Sequence, residues 1–130
     1  MPRAYTVATT ALALDTSPKW VDNILSHYRL PGIVQAKQGI PRRLNVEGLL
    51  HLSIILVLTV DLGTTVGAAV KIAGQIAAGQ GAFATPGGIR VELDLNALQA
   101  QLLTRLEHAV EVAPLPRRGR PPKNTTGRLE

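Results

Sequence analysis

The chain has 130 residues, about one domain, and 45% of them are hydrophobic, enough to bury a sizeable core. Aromatics make up only 3%, so that core must be aliphatic, and the absence of cysteine excludes disulfides, thiolate metal sites and a cysteine nucleophile. The formal net charge of +5 is unevenly spread: net +3 over residues 1–60, −2 over 61–113 and +4 over 114–130. Basic ends around a mildly acidic middle suit a polyanionic partner at the ends, with a packing or assembly module between them.

The first residues, Met1-Pro2-Arg3-Ala4-Tyr5, lack a basic segment leading into an apolar run, so no secretory signal is expected. The apolar stretch 49–60 lies between Glu47 and Asp61, and spans about 12 residues where a membrane crossing needs ~20. Residues 62–83 form a longer stretch but carry Lys71, Gln75, Gln80 and several glycines. The expectation is a cytoplasmic, nucleoid-associated protein with no membrane span.

In chain order, Val7, Ala8, Ala11, Leu12 and Leu14 suit a short helix, followed by a turn at Asp15-Thr16-Ser17. Ser17 or Thr16 can cap the next helix, and Pro18 fits its first turn, where an N–H would have no partner. That second helix shows an apolar stripe at Val21, Ile24, Leu25 and Tyr28, opposite a polar face of Lys19, Asp22, Asn23, Ser26 and His27. Two short helices joined by a tight turn, the second with a polar face, read as a helix-turn-helix. A two-helix core element would share the apolar stripe.

Leu30-Pro31-Gly32 ends the second helix. Residues 33–36 then read as a strand, Lys37-Gln38-Gly39 as a turn and 41–46 as a return strand carrying Arg42 and Arg43. This has the form of a basic wing, although an ordinary solvated hairpin would look the same. Residues 46–60 read as a helix buried on most sides. Gly63 breaks it, and Thr64 or Thr65 caps a small-sided helix to about Ala78. Its interior glycines cost ~1 kcal/mol each relative to alanine, recoverable by close packing on the preceding helix or on a second subunit. Residues 79–81 and 85–88 read as loops. Residues 89–95 alternate apolar and charged, as a half-buried strand does. Leu95, Leu98, Leu102, Leu106 and Val110 then step at helical spacing, with Asp94 as a cap. That stripe suits either subunit pairing or packing onto the alanine-rich helix. From Ala113 onward Pro, Arg and Gly dominate, the composition of a chain disordered when free.

The first half resembles the MerR-type winged-helix family. The match rests on Tyr5-Thr6-Val7-Ala8, on the segment from Leu14-Asp15-Thr16-Ser17 through Pro18-Lys19-Trp20-Val21, and on Leu30-Pro31. It continues through Pro41-Arg42-Arg43-Leu44 and Val46-Glu47-Gly48-Leu49-Leu50, covering about residues 5–78. The resemblance implies a mainly α fold with a small β wing, dimeric and DNA-binding. Its second helix would enter the major groove and its wing would contact the backbone. By position, Ser17, Lys19, Trp20 and Asn23 would face DNA, and Arg42 and Arg43 would be wing contacts. The family usually has glycine where this chain has Asp15, a residue that tolerates the left-handed conformation. The aromatic and arginine run after the second helix is thinned to His27-Tyr28-Arg29. Metal-sensing members use cysteines that this chain lacks.

The tail carries a second, independent resemblance: residues 116–123, Pro-Arg-Arg-Gly-Arg-Pro-Pro-Lys, resemble an AT-hook. Gly119 would let the backbone lie deep in a narrow minor groove, with Arg118 and Arg120 splayed along its floor. Pro121 and Pro122 would keep the chain extended, between Arg117 and Lys123. A·T tracts have a narrow groove of enhanced negative potential that attracts inserted arginine.

Catalytic and metal chemistry find no support. His27, His51 and His108 form no ligand pair, Gly79-Gln80-Gly81 lacks a P-loop ending, and Glu92 and Asp94 have no base or nucleophile beside them. The expected architecture is a winged helix-turn-helix over residues 1–78, a strand-plus-helix dimerisation region over 79–113 and a basic tail over 114–130. The expected partner is double-stranded DNA, A·T-rich by preference, bound by a homodimer without cofactor. Phosphate contacts would fall to Lys37, Arg42, Arg43 and Arg117, and base or groove-floor contacts to Lys19, Asn23, Arg118 and Arg120. An architectural nucleoid protein is one rival. An antitoxin-like assembly subunit that docks a protein through residues 46–82 is the other.

Overall fold

A computed structural model describes residues 3–35 and 41–112. Lys37 and all the tail residues named above lie outside them.

The chain starts with strand β1 (Tyr5–Thr6) and helix α1 (Val7–Leu14). Thr6 caps α1 by accepting the Thr9 N–H at 3.1 Å, while the Thr10 hydroxyl, fully buried, donates to the Thr6 carbonyl at 2.8 Å. Asp15 ends the helix at φ 56°, in the left-handed region, and the Thr16 N–H reaches back to the Ala11 carbonyl at 2.9 Å. The turn therefore forms without glycine. Helix α2 (Pro18–His27) begins on the Ser17 cap, whose Oγ accepts the Trp20 N–H at 3.1 Å. Its stripe of Val21, Ile24 and Leu25 is buried, and α2 packs against α1.

Strands β2 (Ile33–Val34) and β3 (Arg43–Leu44) pair antiparallel, Ile33 with Leu44 and Val34 with Arg43. Strand β1 pairs on the other edge of β3, giving the sheet order β1-β3-β2. Strand alternation sends Leu44 fully into the core and leaves Arg43 exposed. The expected hairpin strands are present but two residues long in the described segments, and no sequence pattern announces β1.

Helix α3 (Val46–Leu62) is capped by Asn45, which accepts the Gly48 N–H at 3.0 Å, and ends at Gly63 with φ 69°. Leu49, Leu52, Ile54, Ile55 and Leu58 are each at most 1% exposed, on several sides of α3, which makes it the axis of the core. Helix α4 (Val66–Ala78), capped by Thr65, lays Ala69, Ala73 and Ile76 into that core against α3. The small side chains let the two helices approach closely. Among the described residues no helix is long and apolar enough to cross a membrane.

Strands β4 (Ala82–Ala84) and β5 (Arg90–Glu92) pair antiparallel around the 85–88 turn, and helix α5 (Leu95–Val112) follows, with Asp94 Oδ1 accepting the Ala97 N–H at 3.0 Å. Strand β4 replaces part of what reads as connecting chain. The apolar stripe of α5 also differs from both expectations. Leu102, Leu106 and Ala109 bury themselves in the common core, chiefly against α1 and α3. They are spent within the chain, and α4 is not the main partner. Val110, assigned to the stripe by spacing, is exposed, as are Leu103 and Val112. The structure is thus mainly helical with small antiparallel sheets.

One polar group inside α3 sets a pH dependence. His51 is only 7% exposed. Burial holds its pKa below the usual imidazole value, and the Glu47 carboxylate one turn earlier opposes that shift only in part. The folded state therefore keeps His51 neutral, while the unfolded chain takes up a proton below about pH 6.5. Stability is complete above that pH and falls as the pH drops through the lowered folded value. Thermal melts at about pH 7.5 and 5.5 should show a lower Tm in acid. His51→Leu should flatten the difference between about pH 7 and 5.5, and an equal acid loss in that variant would remove His51 as its cause.

Candidate nucleic-acid interface

Burying Val21, Ile24 and Leu25 turns the opposite face of α2 outward, so Lys19, Asp22, Asn23, Ser26 and His27 are exposed. Of the four helix residues expected to face a ligand, Lys19 and Asn23 present solvent-facing side chains. Ser17 is exposed, but its Oγ already accepts the Trp20 N–H as the helix cap. Trp20 is half-buried and packs against the core, so packing claims much of its ring.

The hairpin brings a second set of cations. Arg43 is exposed on β3 and Arg42, just before it, is half-buried. Between the end of α2 and the hairpin lies an open cleft of about 510 Å³, lined by Ser26, His27, Arg29, Gln35 and Arg42 together with the apolar Leu30 and Ile33. No contact role for His27 or Arg29 follows from the sequence pattern alone. The only local signal was their place at the end of a polar helix face. The turn through Pro31 and Gly32 brings Arg29 and Arg42 to the same cleft, a non-local arrangement.

Cations outnumber carboxylates on this side, where Asp22 is the acidic residue of the outward face of α2. Among the described residues the only ion pair joins Arg90 to Glu92, at 2.8 Å. Lys19, Arg29, Arg42 and Arg43 thus have no described carboxylate within salt-bridge distance. Hydrated cations without internal partners can exchange water and counterions for an external anion at little structural cost.

Other chemistry is accounted for by structure. Glu92 holds Arg90, and Asp94 caps α5, so the acidic pair on β5 and its extension serves the fold. Among the described residues no group of three or more His, Asp or Glu side chains could hold a metal ion. Gln80, at φ 58°, forms the tight turn from α4 into β4. No protein-family profile, curated protein or solved structure matches this chain.

Proposed function

We propose that this protein binds double-stranded DNA as a transcriptional regulator. In this reading α1 and α2 are a helix-turn-helix, β2 and β3 are the base of a wing, and residues 116–123 are a minor-groove hook. The observation that carries it is the outward polar face of α2 lying beside a hairpin whose arginines have no carboxylate partner among the described residues. A helix entering the major groove needs a solvated face with donors at its N-terminal half, and Lys19 and Asn23 supply them. Arg42 and Arg43 then meet phosphates, which position the protein without reading sequence. A second copy of the chain is the proposed partner in binding. The assembly-subunit reading draws less support, because α3 and α4 commit Leu52, Ile55, Ala69, Ala73 and Ile76 to a shared core.

The test is a mobility shift at low salt with A·T-rich and G·C-rich duplexes. The full chain should bind both, A·T-rich duplex more tightly. Asn23→Ala should weaken a selected site by ~1–3 kcal/mol, the worth of one bidentate base contact. One compact footprint supports a regulator, and broad A·T-rich coverage supports an architectural role. No shift with any duplex would overturn the proposal.

A further inference from the structure

Strand β5 has an open edge. Its hydrogen-bond phase follows from the bonds just beyond its ends. The Thr85 N–H donates to the Ile89 carbonyl at 2.8 Å, and the Leu93 N–H to the Gly81 carbonyl at 2.7 Å. Antiparallel pairs alternate between bonded and non-bonded, so Val91 is the bonded partner of Phe83. Arg90 and Glu92 therefore turn their backbone N–H and C=O groups away from β4. No strand lies on that side among the described residues. On β4, by contrast, the Ala82 N–H is returned to the Gly79 carbonyl at 3.3 Å. An unpaired strand edge is a template for another strand.

The side chains decide which strand fits. Arg90 and Glu92 share the solvent face of β5 and pair with each other at 2.8 Å. On the opposite face Val91 and Leu93 are half-buried against the core, whereas Ile89 is 66% exposed. We propose that the β5 edge pairs antiparallel with β5 of a second copy, about a two-fold axis beside Val91, joining two hairpins into one four-stranded sheet. In that register Arg90 stands opposite the partner's Glu92 and Glu92 opposite the partner's Arg90, each pair exchanging both backbone bonds. Ile89 gains the partner's Leu93 as an apolar neighbour. Sliding by two residues sets Arg90 against Arg90 or Glu92 against Glu92, and like charges directly opposite are destabilising. Sliding by one sets Arg90 beside the partner's Val91 and mixes the wet face with the packed one. Only the proposed register gives both strand charges an opposite partner. The second copy is the one invoked in the proposed function, but the contact needs no DNA and is tested without it.

Sedimentation equilibrium of the full chain should show a reversible monomer–dimer equilibrium. Glu92→Arg and Arg90→Glu each turn both cross-strand pairs repulsive, and each should raise the dissociation constant ~10-fold or more. The charge-swapped Arg90→Glu/Glu92→Arg double variant restores opposite partners and should dimerise as the wild type does. The two single variants, mixed, should form a heterodimer, because one then offers two arginines and the other two glutamates. Both positions are exposed, and circular-dichroism melts matching the wild type check that every variant folds. A wild type that stays monomeric, or a dimer equally tight in both single variants, would overturn the proposal. So would a loss that neither the swap nor the mixture recovers. A monomer that still shifts duplex leaves the DNA reading standing without this contact.

Discussion

Gly32→Ala is expected to destabilise the folded chain by ~3–5 kcal/mol, a large share of the 5–15 kcal/mol that holds a typical domain together. Gly32 sits at φ +78°, where a side chain is strained, and an added Cβ would lie 2.3 Å from both Asn45 Oδ1 and the Gly48 nitrogen. Two of the obstructing atoms, the Gly48 nitrogen and Cα, are backbone, so no flexible chain end can swing aside. The same spot ties the hairpin to α3: the Gly32 carbonyl accepts the Asn45 N–H at 2.9 Å, and Asn45 in turn caps α3 through Gly48. Relieving the clash would push the hairpin off the helix, and Arg42 and Arg43 with it. Gly63→Ala is the contrast. It has a similar φ of +69°, but nothing lies within 4 Å of its added Cβ, so only the left-handed penalty of ~1–2 kcal/mol applies. Urea melts should lower the midpoint far more for Gly32→Ala than for Gly63→Ala. Equal midpoints would show that the close approach at Gly32 costs nothing.

The second large effect concerns the basic tail. Deleting residues 114–130 removes Arg117, Arg118, Arg120, Lys123 and Arg128. Each phosphate neutralised contributes about 0.9 to the slope of log affinity against log salt, so the slope should fall by up to ~4 units. Across a fourfold range of salt that amounts to a difference of more than ~100-fold in how steeply the two proteins lose affinity. Anisotropy titrations at several salt concentrations give both slopes. An unchanged slope would mean that the tail does not touch DNA. Within the tail, Arg120→Ala should weaken A·T-rich duplex more than G·C-rich duplex, since only the narrow groove rewards an inserted arginine.

What the sequence determined by itself is local. Ser17 or Thr16 before Pro18, Thr64 or Thr65 before Val66 and Asp94 before Leu95 mark helix starts, and the structure uses Ser17, Thr65 and Asp94, because a cap bonds an N–H three residues away. The spacing of Val21, Ile24 and Leu25 fixed which face of α2 turns inward, and so which side chains are offered to solvent. The paired strands of the hairpin and the central burial of α3 were legible for the same reason: pattern and period lie within one segment.

Tertiary structure decided everything that depends on a distant neighbour. Tyr5–Thr6 becomes a strand only because β3 lies alongside, and two residues carry no period to announce it. The stripe on α5 left two coverings open by spacing, and packing on α1 and α3 chose neither, placing Ala109 where Val110 was expected. Trp20 carries the same polar-tipped ring in either setting, and only packing against the core shows how much of it is spent. Arg29 and Arg42 stand thirteen positions apart, and their shared cleft exists because Gly32, with no Cβ, lets the chain press against the start of α3.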